Sequence, residues 1–185
     1  MCDDCGCRTF LIQGLFVMGV GKSCCFFGHR KIEYTKELEN QIYENAEKLI
    51  LNENVDTFYF GSKSEFDSLC HKAVTELKEK YPEIKRVYIR AEYPYINDSY
   101  EKYLLKDYED TYFPQKVINA GRARYVERNQ EMIDNSDFCI VYYRTEYKPP
   151  IRRNSKRNLA DYQPKSGTKI AYDYAKKKRK TIISL

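Results

Sequence analysis

The fold is decided by the stretch Ser23-Cys24-Cys25-Phe26-Phe27-Gly28-His29-Arg30-Lys31, a short apolar run that stops at a glycine and continues as His-Arg-Lys. An apolar run of this length, bounded by a turn signal, is typical of a strand buried on both faces, as in a parallel sheet. Gly28 allows a sharp turn, and the helical segment that follows would direct its free N–H groups to the same place. The stretch therefore predicts the first strand-to-helix turn of a Rossmann-like domain, placed to receive an anion.

Strand-like and helix-like segments alternate through the rest of the chain. Apolar residues recur at helical spacing from about Glu33 to Leu51, and again after residue 64 until Pro82 ends the pattern. Two connections are long, a tyrosine-rich one and a basic one, at 91–115 and 144–165. The other predicted segments are strands at 57–60, 86–89, 138–143 and 181–183 and helices at 116–135 and 167–178. This alternation predicts an α/β, Rossmann-like open and mostly parallel sheet of about five strands, with helices on both faces.

Length and composition predict one domain with a leader in front of it. At 185 residues the chain is long enough for a core of its own, and its first 20 residues show no clear periodicity. We expect residues 1–20 to form a disordered leader and residues 21–185 to form the domain. Cys2, Cys5 and Cys7 are closely spaced, but no second Cys/His pair completes four ligands, so no metal site is predicted.

The charge balance and the apolar runs limit the possible partners. The formal net charge is +5, with acidic residues spread among the basic ones, which is compatible with a phosphate-bearing ligand. No apolar run approaches the roughly 20 residues of a membrane span, and the amino terminus is acidic where a secretory signal is basic. We therefore predict a cytoplasmic protein with no membrane partner, and the pattern indicates no separate cofactor.

Three short segments at predicted strand ends carry the candidate site. They are Gly28-His29-Arg30, then Gly61-Ser62-Lys63 with Asp67 just beyond it, and Ser166-Gly167-Thr168. Each combines small residues with a helix amino terminus, whose N–H groups bind phosphate. In an open α/β sheet such segments meet at the carboxyl ends of the strands, where the strand order reverses. We expect the small residues to hold phosphate groups, the cations to supply charge, and Asp67 to take a ribose hydroxyl or cap its helix.

Several residues near these segments have two open interpretations. In the helix predicted at 116–135, Asn129 shares a face with apolar residues and is expected to point inward. Arg128 on the same helix either pairs with a neighbouring glutamate or reaches a phosphate or ribose. His29 either contacts the ligand or makes a structural hydrogen bond at the strand end. The basic loop over 144–165 is either a lid over an anion or a solvated connection.

Five short motifs occur in a fixed order along the chain. They are Phe27-Gly28-His29-Arg30, Gly61 with Phe66-Asp67, Arg128-Asn129-Gln130-Glu131-Met132, Ser136-Asp137, and Gly167-Thr168 before Ala171 and Ala175. In this order they resemble the SLOG superfamily, which joins the DNA-processing protein DprA to the LOG (lonely guy) phosphoribohydrolases. The Gly-His-Arg opening looks most like the YpsA-like branch, and the resemblance covers about residues 23–185. It implies a Rossmann-like domain that binds a nucleotide or nucleotide-derived ligand, often as a homo-oligomer.

One departure from the LOG pattern leaves the activity open. The LOG enzymes carry a Pro-Gly-Gly loop that runs into Gly-Thr-x-x-Glu, and this glutamate works with the helix arginine to cleave the N-glycosidic bond. Here Arg128 matches that arginine, but Ala171 stands at the place of the glutamate and the basic 144–165 segment replaces the loop. The resemblance therefore implies, first, a binding protein for a small phosphorylated ligand, a nucleotide or an ADP-ribose-like molecule.

Two alternatives to this binding protein stay open. One is a nucleoside 5′-monophosphate phosphoribohydrolase, which would use Arg128 as its catalytic residue and a carboxylate from elsewhere in the chain. The other is a DprA-like protein that binds single-stranded DNA. The basic loop over 144–165 favours the DNA interpretation, whereas the modest net charge of +5 argues against it.

Overall fold

A computed structural model describes residues 21–61, 64–147 and 166–185 and shows an α/β fold. The predicted leader over residues 1–20 lies outside the described residues, as does most of the basic 144–165 loop. The strands are β1 (Lys22–Gly28), β2 (Val55–Phe60), β3 (Lys85–Ile89), β4 (Asp110–Tyr112), β5 (Phe138–Tyr142) and β6 (Thr181–Ser184). The helices are α1 (Lys36–Glu53), α2 (Glu65–Lys80), α3 (Asp98–Leu104), α4 (Arg124–Asp134) and α5 (Gly167–Lys177).

The strands form one open sheet in the order β4-β3-β2-β1-β5-β6, and every neighbouring pair is parallel. The chain builds outward from β1 to β4 on one side and then returns to place β5 on the other side of β1. The strand order therefore reverses between β1 and β5, which is where open α/β sheets form a crevice for ligands. This architecture confirms the predicted Rossmann-like parallel sheet.

The sheet has six strands within the described residues, one more than the sequence predicts. The additional strand, β4, lies inside the connection over 91–115, which also contains the short helix α3. Only three residues long, β4 pairs with β3 at the edge of the sheet, and its first residue, Asp110, is exposed. A strand this short, with a polar first residue, contains no apolar run that would predict it from the sequence. It forms because the edge of β3 is available for pairing.

The helix predicted at 116–135 is also wrong in its extent. Helix α4 begins only at Arg124, after two separate 3₁₀ turns at Gln115–Val117 and Gly121–Ala123. Gly121 has a φ of 52°, in the left-handed region, which a continuous right-handed helix does not permit. The glycine therefore interrupts the predicted helix, and α4 begins three residues later, after the second 3₁₀ turn.

The residues of β1 alternate between two apolar clusters, one on each face of the sheet. Cys24 and Phe26 pack with α1 and α2, whereas Cys25 and Phe27 pack with residues of α4 and α5. All four side chains are buried. A strand buried on both faces is what the opening apolar run predicts, and its burial holds the end of β1 in a fixed position between the helix layers.

Hydroxyl side chains set the start of the three helices that follow β1, β2 and β5. The side chains of Thr35, Ser64 and Ser166 each accept an N–H from the first turn of α1, α2 and α5, respectively. Such a cap satisfies one of the four free N–H groups at a helix start and leaves others available. The carboxyl edge of the sheet is therefore lined by helix amino termini.

Candidate functional site

The carboxyl edge of the sheet carries a cavity of about 740 Å³ that extends from the end of β1 past β2 to the end of β3. Helix α4 and the amino terminus of α5 complete its wall. This volume lies within the range of about 300–1,000 Å³ that is usual for small-molecule sites. The structure brings eight of the predicted site residues into this wall: Gly28, His29, Arg30, Gly61, Arg128, Ser166, Gly167 and Thr168.

The remaining predicted site residues are placed differently. Ser62 and Lys63 lie outside the described residues, so their predicted contacts stay predictions. Asp67 is buried in the first turn of α2, and its backbone N–H donates to Ser64 Oγ at 3.1 Å. Asp67 is not among the described residues that line the cavity, but its charge acts on Arg128 and partly offsets the lowering of the Arg128 pKa by burial. The carboxylate therefore lies behind the wall as a counter-charge.

The end of β1 and the start of α5 are joined by a direct hydrogen bond. Thr168 Oγ1 donates to the backbone carbonyl of Gly28 at 2.8 Å, and Ser166 Oγ accepts the N–H of Lys169 at 3.1 Å. A Cβ placed on Gly167 would meet no atom of the described residues within 4 Å. The amino terminus of this 11-residue helix is therefore fixed in position and sterically open, as an anion site requires.

His29 lies at the same end of the cavity and is only 1% exposed. The backbone N–H of Arg144 lies 2.8 Å from His29 Nε2, closer than the carbonyl oxygen of Arg144 at 3.3 Å, which favours Nε2 as the acceptor and the ring proton on Nδ1 in the neutral imidazole. Burial lowers the pKa of His29, which keeps the ring neutral. Nδ1 is buried and has no hydrogen-bond partner among the described residues. His29 thus makes the structural hydrogen bond and also holds an N–H that a ligand oxygen would satisfy.

Arg128 is the buried cation of the site, with 3% of its surface exposed. Its Nε donates to Asn129 Oδ1 at 3.0 Å, and a Cβ on Gly61 would approach its Cδ to 2.7 Å. Burial lowers the pKa of Arg128, and Asp67 opposes this effect; an arginine stays charged in either case. Within the described residues the carboxylate of Glu131 lies 2.8 Å from Lys116 Nζ and forms an ion pair with that lysine. No ion pair joins Glu131 to Arg128 there. The structure therefore favours the ligand-directed interpretation of this arginine.

A second group of wall residues, beyond β3, is absent from the sequence-based site. Arg90 follows β3 directly, and its Nη1 donates to the carbonyl of Tyr93 at 3.0 Å. Glu92 accepts a hydrogen bond from the hydroxyl of Tyr125 on α4, so the two walls are joined there. Tyr100 of α3 lines the same end. The rule that ligands bind at the carboxyl ends of parallel strands, applied also to the third strand, would have identified Arg90 and Glu92.

The charge of the wall is strongly biased. The described wall of the cavity contains one carboxylate, that of Glu92. It contains four arginines, which carry the positive charge: Arg30, Arg90, Arg122 and Arg128. A concave surface lined by one sign of charge concentrates the opposite ion. The cavity is therefore suited to an anionic ligand.

The place where the resemblance puts a catalytic glutamate is part of the core. Ala171 is fully buried and packs in the apolar cluster that includes Met132 and Ile133 of α4. A glutamate side chain in that cluster would bury a carboxylate among apolar groups, which costs several kcal/mol unless it is paired. The only carboxylate in the described part of the wall is instead Glu92, which comes from the opposite end of the cavity.

Comparisons with known proteins leave the family of this chain open. No family model matches it, and no curated protein matches it in sequence. In the part of the chain that the structure describes, no group of three His, Cys, Asp or Glu side chains is placed to hold a metal ion. None of the described helices is both long enough and apolar enough to cross a bilayer.

Proposed function

We propose that this protein binds a phosphorylated nucleotide or an ADP-ribose-like derivative in the cavity at the carboxyl edge of the sheet. The observation that carries the proposal is the buried guanidinium of Arg128 in the same wall as the open amino terminus of α5. Together with the neutral N–H of His29, these groups offer charge and hydrogen-bond donors to a phosphoryl group. At Gly167 no atom of the described residues lies within 4 Å of the Cβ position, so these residues leave the helix end open to such a group.

The size and lining of the cavity favour a nucleotide over inorganic phosphate. A phosphate ion would occupy only the end next to α5, whereas the cavity continues to the end of β3. Tyr93, Tyr100 and Tyr125 line the far end, and tyrosine rings stack well on planar bases. A ligand with a phosphoryl group at one end and a base at the other fits both observations.

A nucleoside 5′-monophosphate hydrolase is the second candidate, and one observation favours it. Glu92 and Arg128 line the same cavity, so a carboxylate and a guanidinium are both present where a nucleotide would lie. In this case Glu92 would support the attacking water as a general base while Arg128 stabilises the charge that develops on the ligand. The position of Ala171 in the core means that any such enzyme would work without the LOG glutamate.

A thermal-shift screen followed by chromatography tests both candidates. The panel contains AMP, GMP, ADP-ribose, a cyclic dinucleotide and ribose 5-phosphate, each applied to the wild-type protein and to Arg128→Gln. A ligand at a hundredfold its dissociation constant stabilises the folded state by about 2.7 kcal/mol, which is a readily measured shift. Arg124→Gln is the matched control, because Arg124 is an exposed neighbour on α4 outside the described wall.

The outcomes separate the candidates. The binding proposal predicts a shift with at least one nucleotide that is recovered intact, and its loss in Arg128→Gln but not in Arg124→Gln. Recovery of free base and ribose 5-phosphate from a monophosphate would establish the hydrolase instead. A protein that no phosphorylated compound stabilises would contradict both, and single-stranded DNA would then be the ligand to test.

We also propose a cytoplasmic location and a homo-oligomeric state for this protein. The first rests on the composition of the chain, and the second on the resemblance to the SLOG superfamily. Light scattering after size-exclusion chromatography, with and without the ligand found in the screen, measures the oligomeric state. A mass of one 22.0 kDa chain under both conditions would contradict self-association.

A further inference from the structure

The far end of the cavity contains a buried donor that the protein leaves without an acceptor. Arg90 Nε is buried and has no hydrogen-bond partner among the described residues. The rest of the guanidinium is held in place, since Nη1 donates to the carbonyl of Tyr93 at 3.0 Å and approaches that of Pro94 at 3.5 Å. Buried polar groups in native proteins are nearly always paired. An acceptor on a bound ligand would satisfy this donor.

Two residues further along, the same loop brings an acceptor to the same end of the cavity. Within the described residues the Glu92 carboxylate receives one hydrogen bond, from the hydroxyl of Tyr125. An ionised carboxylate has about four acceptor positions, so most of its capacity is left for a ligand. Arg90 and Glu92 thus present a donor and an acceptor to the same volume.

Aromatic side chains surround this donor and acceptor. Tyr93 is 63% exposed, and Tyr100 and Tyr125 line the cavity beside it. The φ of Tyr93 is 57°, a left-handed conformation that is uncommon for a bulky residue and is held here by the bond from Arg90 to its carbonyl. The loop is therefore kept in a strained form that leaves a large ring exposed at the cavity, as a stacking surface for a planar base requires.

The distance between the two ends of the cavity suits a mononucleotide. His29 and Thr168 lie at β1, and Arg90 lies at β3, which is two strands away in the sheet. Neighbouring strands are about 4.8 Å apart, so the two ends are separated by about 10 Å. A 5′-nucleotide spans this separation from its phosphoryl group to the edge of its base.

We propose that the end formed by Arg90 and Glu92 binds the base and selects 6-oxopurines, guanine and hypoxanthine, over adenine. This inference rests on the proposed nucleotide-binding function. Arginine donates to the O6 and N7 acceptors of guanine, and a carboxylate accepts from the N1–H of the same ring. Adenine carries an amino group in place of O6 and an acceptor at N1, so it would set donor against donor and acceptor against acceptor. Mismatched groups of this kind in a buried site lower affinity strongly.

The test is a calorimetric titration of the wild-type protein with GMP, IMP, AMP and ribose 5-phosphate. We expect GMP and IMP to bind at least tenfold more tightly than AMP, and ribose 5-phosphate to bind more weakly than GMP. Glu92→Gln should reduce the ratio of GMP to AMP affinity towards one, because its amide replaces a carboxylate oxygen with a donor. Glu79→Gln is the matched control, since Glu79 is exposed on α2 and does not line the described wall.

Arg90→Lys is a second variant that keeps the positive charge but removes the Nε–H. Loss of GMP affinity with little change for AMP would support base recognition, whereas an equal loss for all four compounds would assign Arg90 to holding the loop alone and overturn the inference. Equal affinities for GMP and AMP in the wild-type protein, or tighter binding of AMP, would also overturn it. These results leave the proposed function intact, because that function fails only when no phosphorylated compound of the thermal-shift panel stabilises the protein.

Discussion

Gly28 and Gly61 end neighbouring strands of the sheet, yet the structure requires a glycine at these two positions for different reasons. A Cβ on Gly28 would lie 2.5 Å from Cγ of Phe66, a fully buried ring of α2. A Cβ on Gly61 would instead lie 2.7 Å from Cδ of Arg128, the buried cation of the cavity. The first glycine allows a helix to pack on a strand, and the second makes room for a functional side chain.

Gly167 completes the comparison, because nothing in the described structure lies within 4 Å of the place that its Cβ would take. The three glycines look alike in the sequence, where Gly28 and Gly61 stand between a strand and a helix and Gly167 begins a helix. Their neighbours differ: a rigid ring at Gly28, a long polar side chain at Gly61 and open space at Gly167. A glycine next to a helix therefore indicates a ligand site only when the space beside its Cα is occupied by a site residue or is open to a cavity.

The largest effect is expected for Gly28→Ala. The new methyl group would collide with Phe66, which is fully buried and cannot move aside without disturbing the core. Overpacking of this kind costs about 3 kcal/mol. Urea unfolding followed by circular dichroism measures it, and a loss below about 1 kcal/mol would show that the packing explanation for Gly28 is wrong.

Gly61→Ala should affect ligand affinity more than stability. The methyl group would displace the Arg128 side chain, which can shift because it is long, so we expect a stability loss of about 1 kcal/mol. Nucleotide affinity should fall about tenfold or more, as a charge-assisted hydrogen bond is lost. The double variant Gly61→Ala with Arg128→Ala relieves the collision, and it should regain stability without regaining affinity. Unchanged affinity in Gly61→Ala would contradict the assigned role of Arg128.

A smaller effect is expected for the pH dependence of stability at the β1 end of the cavity. Burial lowers the pKa of His29 below its ordinary value of 6.5, so below about pH 6.5 the unfolded chain binds a proton that the folded protein resists. The free energy of unfolding should therefore fall as the pH is lowered from 7 to 5. His29→Gln should remove this part of the dependence, and His71→Gln, at the other histidine of the chain, should retain it. The same pH profile in wild type and His29→Gln would contradict the neutral, buried state of His29.

The smallest effect is expected for Gly167→Ala. This variant should raise the stability of the protein, whereas the other two glycine variants should lower it. Alanine in the first turn of α5 meets no steric barrier and should stabilise the protein by about 0.5 kcal/mol. Because the methyl group would stand at the open helix terminus, nucleotide affinity should fall a few-fold. Thermal unfolding and calorimetric titration of one preparation check both values. Higher stability with unchanged affinity would show that no phosphoryl group approaches Gly167.

The parts of the fold that could be predicted are those that local sequence determines. The apolar runs over residues 24–27 of β1 and Phe138–Tyr142 of β5 have no exposed position, so a parallel sheet buried on both sides is the consistent interpretation. Strand β4 could not be predicted, because its three residues become a strand only where the edge of β3 is available. The residue Gly121 does carry a signal, since a glycine inside a helical pattern lowers the expectation of a continuous helix.

As with the fold, only part of the candidate site could be predicted from the sequence. The turn after β1 and the start of α5 follow from motifs, and helical spacing points Asn129 inward, whereas the sequence left two interpretations open for Arg128; the structure places all of them in one cavity. Arg90 and Glu92 lie just beyond the strand predicted at 86–89, so the strand-end rule reaches them, but no motif or periodicity in the tyrosine-rich connection marks them as site residues. Their contribution depends on the path of the loop beyond β3, which is set by tertiary contacts such as the hydrogen bond between Arg90 and the carbonyl of Tyr93.

The most direct test of the account is a calorimetric comparison of GMP with guanosine, which differ only in the phosphoryl group. If Arg128, His29 and the amino terminus of α5 hold that group, GMP should bind the wild-type protein about a hundredfold more tightly, and Arg128→Gln should remove most of this difference. Equal affinity for nucleotide and nucleoside in the wild-type protein would contradict the central claim, because the cations of the cavity would then have no part in binding.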